Sequence, residues 1–151
     1  IENIALSKDL SPTQFGLSVH NAAAGLFSIF TGNRAPLSAI SGGQSSFMQG
    51  LLDSVAKLQV NNLSRILYVY CDLNVPECYR SYVVDDTSIG IGLLIEVSKD
   101  EKNAYSLAYN AVEDTLNSDC QALDFMGFIL SKENQLLAKI HQQIWQLRRG
   151  S

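Results

Sequence analysis

The chain has 151 residues, 46% of them hydrophobic and only 17% charged, with a formal net charge of −4 and a pI near 5.0. A chain of this length buries roughly 70% of its unfolded surface, which suits one domain with a real core and leaves no room for two complete ones. The acidic balance argues against nucleic acid as a partner, since a binder shows a basic face. No run reaches the roughly 18 apolar residues of a membrane span, and no signal peptide opens the chain, so a cytoplasmic location is expected.

In chain order, Ile1, Ile4, Ala5 and Leu6 have the spacing of a helix end, and a preceding N-terminal segment is expected. Ser11-Pro12 signals a helix start or turn, because serine caps and proline suits the first helical position. Residues 15–19 alternate apolar and small side chains like a short extended piece. Asn21 then opens a helix through Ala22, Leu26, Phe27, Ile29 and Phe30 that stops at Gly32. Nearly free of charge, that helix is predicted to be buried. Asn33-Arg34-Ala35-Pro36 is a turn into a short strand near Ser38, and Gly42-Gly43 a tight turn out of it.

A helix follows, with Phe47, Met48, Leu51, Leu52, Val55 and Leu58 as a core stripe. Residues 65–71 read as an apolar strand in the middle of a covered sheet, and 73–86 as a loop around Pro76. Residues 90–97 form a strand, with 105–112 pairing beside it. The pattern from 120 to 130 is helical. The last stretch, 136–149, fits a helix through Leu137, Ile140, Ile144 and Leu147. It also alternates like a strand through His141, Gln143, Trp145 and Leu147; the helix is preferred.

Chemistry-bearing residues are sparse. Cys71, Cys78 and Cys120 have no metal spacing and no even count, so reduced thiols are expected. Cys71 closes a central strand and reads as inert core. His20 and His141 stand far apart, and neither a metal nor a cofactor is expected. Trp145 with Arg148 and Arg149 offers a weak basic contact for an acidic partner. The informative feature is Gln44, at the mouth of the helix behind the glycine turn. Free backbone N–H groups and the helix dipole make such an elbow a place for a nucleophile. Glutamine cannot attack a thioester.

Strand, elbow, helix, strand and strand pair together resemble one half of a thiolase-like α/β fold, as an α/β/α layer unit spanning residues 1–151. Ser18-Val19-His20-Asn21-Ala22-Ala23-Ala24-Gly25, with Ser28-Ile29, Gly32, Arg34 and Pro36, resembles the stretch before the nucleophile of β-ketoacyl synthases. Ala35 stands in place of the family's second turn glycine. Aligned on Asn21 and Pro36, the catalytic cysteine falls on Gln44. Glutamine there is similar to the chain-length factors of type II polyketide synthases. Leu10 to Phe15 with Ser18 to Asn21 looks closer still to the short synthase-like proteins of aryl polyene pathways, which consist of little more than the N-terminal half.

The resemblance implies a catalytically silent subunit that forms a heterodimer with a cysteine-bearing β-ketoacyl-ACP synthase. It implies that Phe15, Leu17, Val19, His20 and Asn21 lie at the partner interface or acyl tunnel, and that Gly32, Arg34 and Pro36 brace the turn below Gln44. Acyl carrier protein would be met through the complex. The two histidines and the glycine-rich loops of the family's C-terminal half are absent from this sequence. The alternative is an enzyme: a glutamine-type malonyl-ACP decarboxylase, or a degenerate acyltransferase. For Gln44 itself the plain reading is a polar side chain that ends a strand and satisfies a backbone group.

Overall fold

Ser11 opens the first helix, α1 (Pro12–Leu17): its side chain accepts from the Gln14 N–H at 3.4 Å, and Pro12 takes the first helical position. The computed structural model describes residues 11–83, 88–100, 104–113, 120–140 and 142–150. The expectations placed on Ile1 to Leu10 and on His141 lie outside the described residues. The chain divides into two compact units, Ile1–Ser41 and Gly42–Ser151.

In the smaller unit, helix α1 replaces the extended piece expected at 15–19. Capping by Ser11 and the preset φ of Pro12 decide the local conformation, and the apolar alternation does not. Helix α2 (Ala22–Thr31) lies where it was expected, with Asn21 at the N-cap and Gly32, at φ 64°, at the C-cap. The Asn21 side chain makes no capping bond; the Thr31 hydroxyl donates to the Phe27 carbonyl instead. The turn at Asn33 is real, its side-chain oxygen accepting from the Ala35 N–H at 2.9 Å. Residues 32–42 form no strand, so the strand expected before Gln44 is absent. The predicted burial of α2 is also corrected. None of its residues is buried, and Ile29 and Phe30 are 74% and 84% exposed.

The larger unit starts with a 3-10 turn (Gly43–Ser45) that runs into helix α3 (Ser46–Val60). Strands β1 (Arg65–Asp72) and β2 (Ile89–Glu96) follow, antiparallel, with Tyr68 opposite Leu93. Between them a 3-10 turn (Glu77–Tyr82) occupies part of the expected loop. Strand β3 (Tyr105–Ala111) precedes helix α4 (Gln121–Leu130), then β4 (Gln135–Ile140) and β5 (Gln143–Arg149). The second sheet has the order β3-β5-β4, all antiparallel.

Three expectations change here. Strand β1 is not a covered central strand: among the described residues it pairs only with β2, and Leu67 and Val69 are exposed on its outer face. Cys71 is correspondingly exposed and not core. Strand β3 pairs with β5 instead of lying beside β2. The stretch 136–149 is two strands and not a helix. Gln142, at φ 61°, stands in the connection between them, and Ala138, Ile140, Trp145 and Leu147 are buried with the period of two that a sheet requires.

Helix α3 packs on β1 and β2, α4 packs on β4, and the two helices touch. Their shared core joins Phe47, Met48 and Leu51 of α3 to Phe125 and Phe128 of α4 and to Trp145 and Leu147 of β5. Of the stripe read from the sequence of α3, Phe47, Met48 and Leu51 form this face, Leu52 packs against it partly buried, and Leu58 is buried outside the cluster, while Val55 is not part of it. Trp145 stacks on Tyr109 and is buried, which removes it from any carrier-protein contact.

Arg149 is likewise tied into the fold. Its guanidinium donates to the carbonyls of Phe128, Ile129, Ser131 and Glu133 and to the Tyr105 hydroxyl, at 2.8–3.1 Å. It also lies over the Phe128 ring, 4.9 Å from the centroid. The last carbonyls of a helix have no partner within it, and a cation there is favoured by the dipole. Arg149→Ala should therefore cost about 2–3 kcal/mol, and Arg149→Lys most of that, because an ammonium cannot reproduce the planar fork. Thermal melting should show a fall of about 6–15 °C for the alanine variant.

Candidate functional site: the glycine elbow

The elbow is a short turn locked by its own hydrogen bonds. Gly43 has φ 58°, a left-handed conformation that a side chain would strain. The Gly42 N–H donates to the Ser46 hydroxyl at 2.9 Å, and that hydroxyl donates to the Gly43 carbonyl at 2.7 Å. The Ser45 N–H closes on the Gly42 carbonyl at 3.2 Å. Gln44 rides on this turn, exposed, and its side chain has no hydrogen-bond partner among the described residues. Among the described residues it neither ends a strand nor satisfies a backbone group, which departs from the plain reading of Gln44.

The first turn of α3 is held from two sides. From the sheet, the Tyr68 hydroxyl donates to the Phe47 carbonyl at 2.8 Å. Burial, and secondarily the neighbouring Tyr70, push the Tyr68 pKa well above the ordinary tyrosine value, so it stays a protonated donor. Gly50 makes room for that ring: a Cβ there would stand 2.7 Å from Tyr68 Cε2. From α4, the Gln121 side-chain oxygen accepts from the Met48 N–H at 3.1 Å. Gln121 is 2% exposed.

Gly50→Ala should destabilise by about 1–3 kcal/mol through this overlap, despite about 1 kcal/mol gained in helix propensity. In a double-mutant cycle with Tyr68→Leu, much of the alanine cost should vanish, because the colliding ring is gone. An alanine cost unchanged by Tyr68→Leu would place the strain elsewhere.

The other residues singled out in the sequence stand in the smaller unit. Phe15, Leu17, Val19, His20 and Asn21 are exposed, the first two and His20 on or just after α1. Gly32 caps α2, and Arg34 and Pro36 follow it in the exposed, irregular stretch. Cys71 and Cys78 are exposed and Cys120 is half-buried, all free. No cluster of His, Cys, Asp and Glu able to hold a metal occurs among the described residues, and no described helix is long and apolar enough to cross a membrane. Sequence reasoning missed Tyr68 and Gln121. Both act across long separations, 21 and 73 residues, and neither carries a local signal.

Chemically, the elbow offers a glycine turn and a helix start but no nucleophile at its mouth. No curated protein matches the chain. A solved structure, a ketosynthase (ApeO) in complex with its chain length factor (ApeC) from Xenorhabdus doucetiae, contains a similar chain at 24% identity with a TM-score of 0.83. The similarity covers 98% of this chain and 61% of that one, so this chain spans about three fifths of that relative, and at such identity the likeness shows the fold. The model of the β-ketoacyl synthase N-terminal domain matches residues 1–147. With the α/β layer and the elbow in place, this match across almost the whole sequence means that the chain belongs to the β-ketoacyl synthase N-terminal domain family, with its thiolase-like fold.

Proposed function

We propose that the chain is a catalytically silent, chain-length-factor-like subunit. It pairs with a cysteine-bearing β-ketoacyl-ACP synthase and shapes that enzyme's acyl tunnel during elongation of a polyene or other polyketide chain. The observation that carries this reading is the smaller unit. Its described residues 11–41 include no buried side chain, yet they present Phe15, Leu17, Phe27, Ile29 and Phe30 to solvent. A helix apolar on all sides belongs inside an assembly. Gln44 at the elbow supports silence, and the likeness to a ketosynthase–chain-length-factor complex supports pairing.

In this reading the whole chain acts as one synthase-like domain in the cytoplasm. Phe15, Leu17, Val19, His20 and Asn21 face the partner or its tunnel; Gly32, Arg34 and Pro36 shape the turn toward Gln44. A bulky side chain at a tunnel's end stops a growing acyl chain by overlap, at about 1–3 kcal/mol per offending group. The carrier protein is met through the complex. The interface is on the order of 2,000 Å² or more, as for obligate pairs.

Co-expression with a ketosynthase of the same pathway, followed by native mass spectrometry, tests the proposal. A one-to-one heterodimer is expected. A persistent monomer or homodimer, or malonyl-thioester turnover by the isolated chain, would overturn it.

A further inference from the structure

Gln121 carries an inference about the elbow that is independent of Gln44. It is the first residue of α4, it is 2% exposed, and its side chain crosses to the start of α3, where its oxygen takes the Met48 N–H. Met48 is the third residue of α3, so this N–H is one of the amides that a helix leaves without an internal partner. Those amides are what draws negative charge to a helix start.

The carboxamide orientation follows from the contact, because turning it over would set N–H against N–H. Its donor end is left with no acceptor: Gln121 Nε2 is buried and unpaired among the described residues. An apolar side chain in this place would leave the Met48 N–H unpaired at the elbow instead. Glutamine thus moves the unpaired donor away from the elbow helix and into the core, and sets the negative end of a dipole against the helix start. The turn's own bonds work in the same direction, since Ser45 and Ser46 donate their N–H groups to Gly42 and Gly43 carbonyls.

We propose that Gln121 is a positioning residue that neutralises the elbow: it withdraws the Met48 amide from the set that would hold a thiolate or an acyl oxyanion at the mouth of α3. The chain then carries two separate obstacles to chemistry at this place, a missing nucleophile and a helix start occupied from within. Restoring the thiol alone does not restore a reactive one. This goes beyond the pairing proposed above and is read on the isolated full chain, so the two can fail separately.

The test introduces a thiol by Gln44→Cys and follows its alkylation by iodoacetamide against pH, resolved by mass spectrometry, with Cys71, Cys78 and Cys120 as internal references. With Gln121 in place the introduced thiol should titrate near the ordinary value of about 8.5. Adding Gln121→Leu should lower that midpoint by about half a unit or more, roughly threefold in rate at pH 7. Adding Gln121→Glu should raise it, because a carboxylate opposes the thiolate. The glutamate variant decides the matter if the leucine variant fails to fold. A thiol titrating below about 7.5 with Gln121 present, or one indifferent to the replacements that fold, would overturn the proposal.

Discussion

Phe47→Ala is expected to cost the larger unit about 4 kcal/mol and to leave it close to its unfolding threshold. Phe47 is 1% exposed and lies within 5.1–5.7 Å, centroid to centroid, of the rings of Phe125, Tyr70 and Tyr68. Truncating a buried phenylalanine costs about 3–5 kcal/mol, and the edge-to-face contact with Tyr70 adds to what is lost. Domains of this size hold only about 5–15 kcal/mol in total. The same residue's carbonyl receives the Tyr68 hydroxyl, so the elbow loosens together with the core. A urea titration should show a lower midpoint at similar slope, while Leu137→Ala on the exposed sheet face should shift it little. A loss below about 1 kcal/mol would mean that the core repacks around the gap.

The second large effect concerns association and leaves the isolated chain alone. Ile29→Ser with Phe30→Ser should weaken the proposed pairing with a ketosynthase by up to roughly 1,000-fold, because two apolar anchors at the centre of an interface, at about 2 kcal/mol each, together contribute about 4 kcal/mol. Both side chains are largely exposed in the chain by itself, so its melting temperature should change little. Titration calorimetry against the partner, beside a melt of the variant alone, separates the two quantities. Unchanged affinity would remove α2 from the interface.

Much of the candidate site is legible in the sequence, but unevenly. The elbow and Gln44 can be placed because the glycines and the helix start adjoin Gln44, and the Asn21-to-Pro36 motif precedes them on the same continuous stretch of chain. The exposure of Gln44 cannot, since it depends on what surrounds the turn. Helix α2 is correctly bounded by its sequence and wrongly buried for a related reason. Its apolar composition favours cover, and the residue pattern does not say what supplies it.

The sequence by itself determined the helices α2, α3 and α4, the caps at Ser11 and Gly32, and the core stripe of Phe47 to Leu58. Each of these depends on capping and on a 3.6-residue period, forces that act within a turn or two of chain. Only the tertiary structure decided that 136–149 is a pair of strands, because that stretch satisfies both periods and the choice falls to the apolar faces that need cover. It also decided which strand lies beside β3, that Arg149 closes the end of α4, and that Gln121 caps the elbow. Those last two contacts join residues 16 to 73 positions apart, and no local preference encodes them.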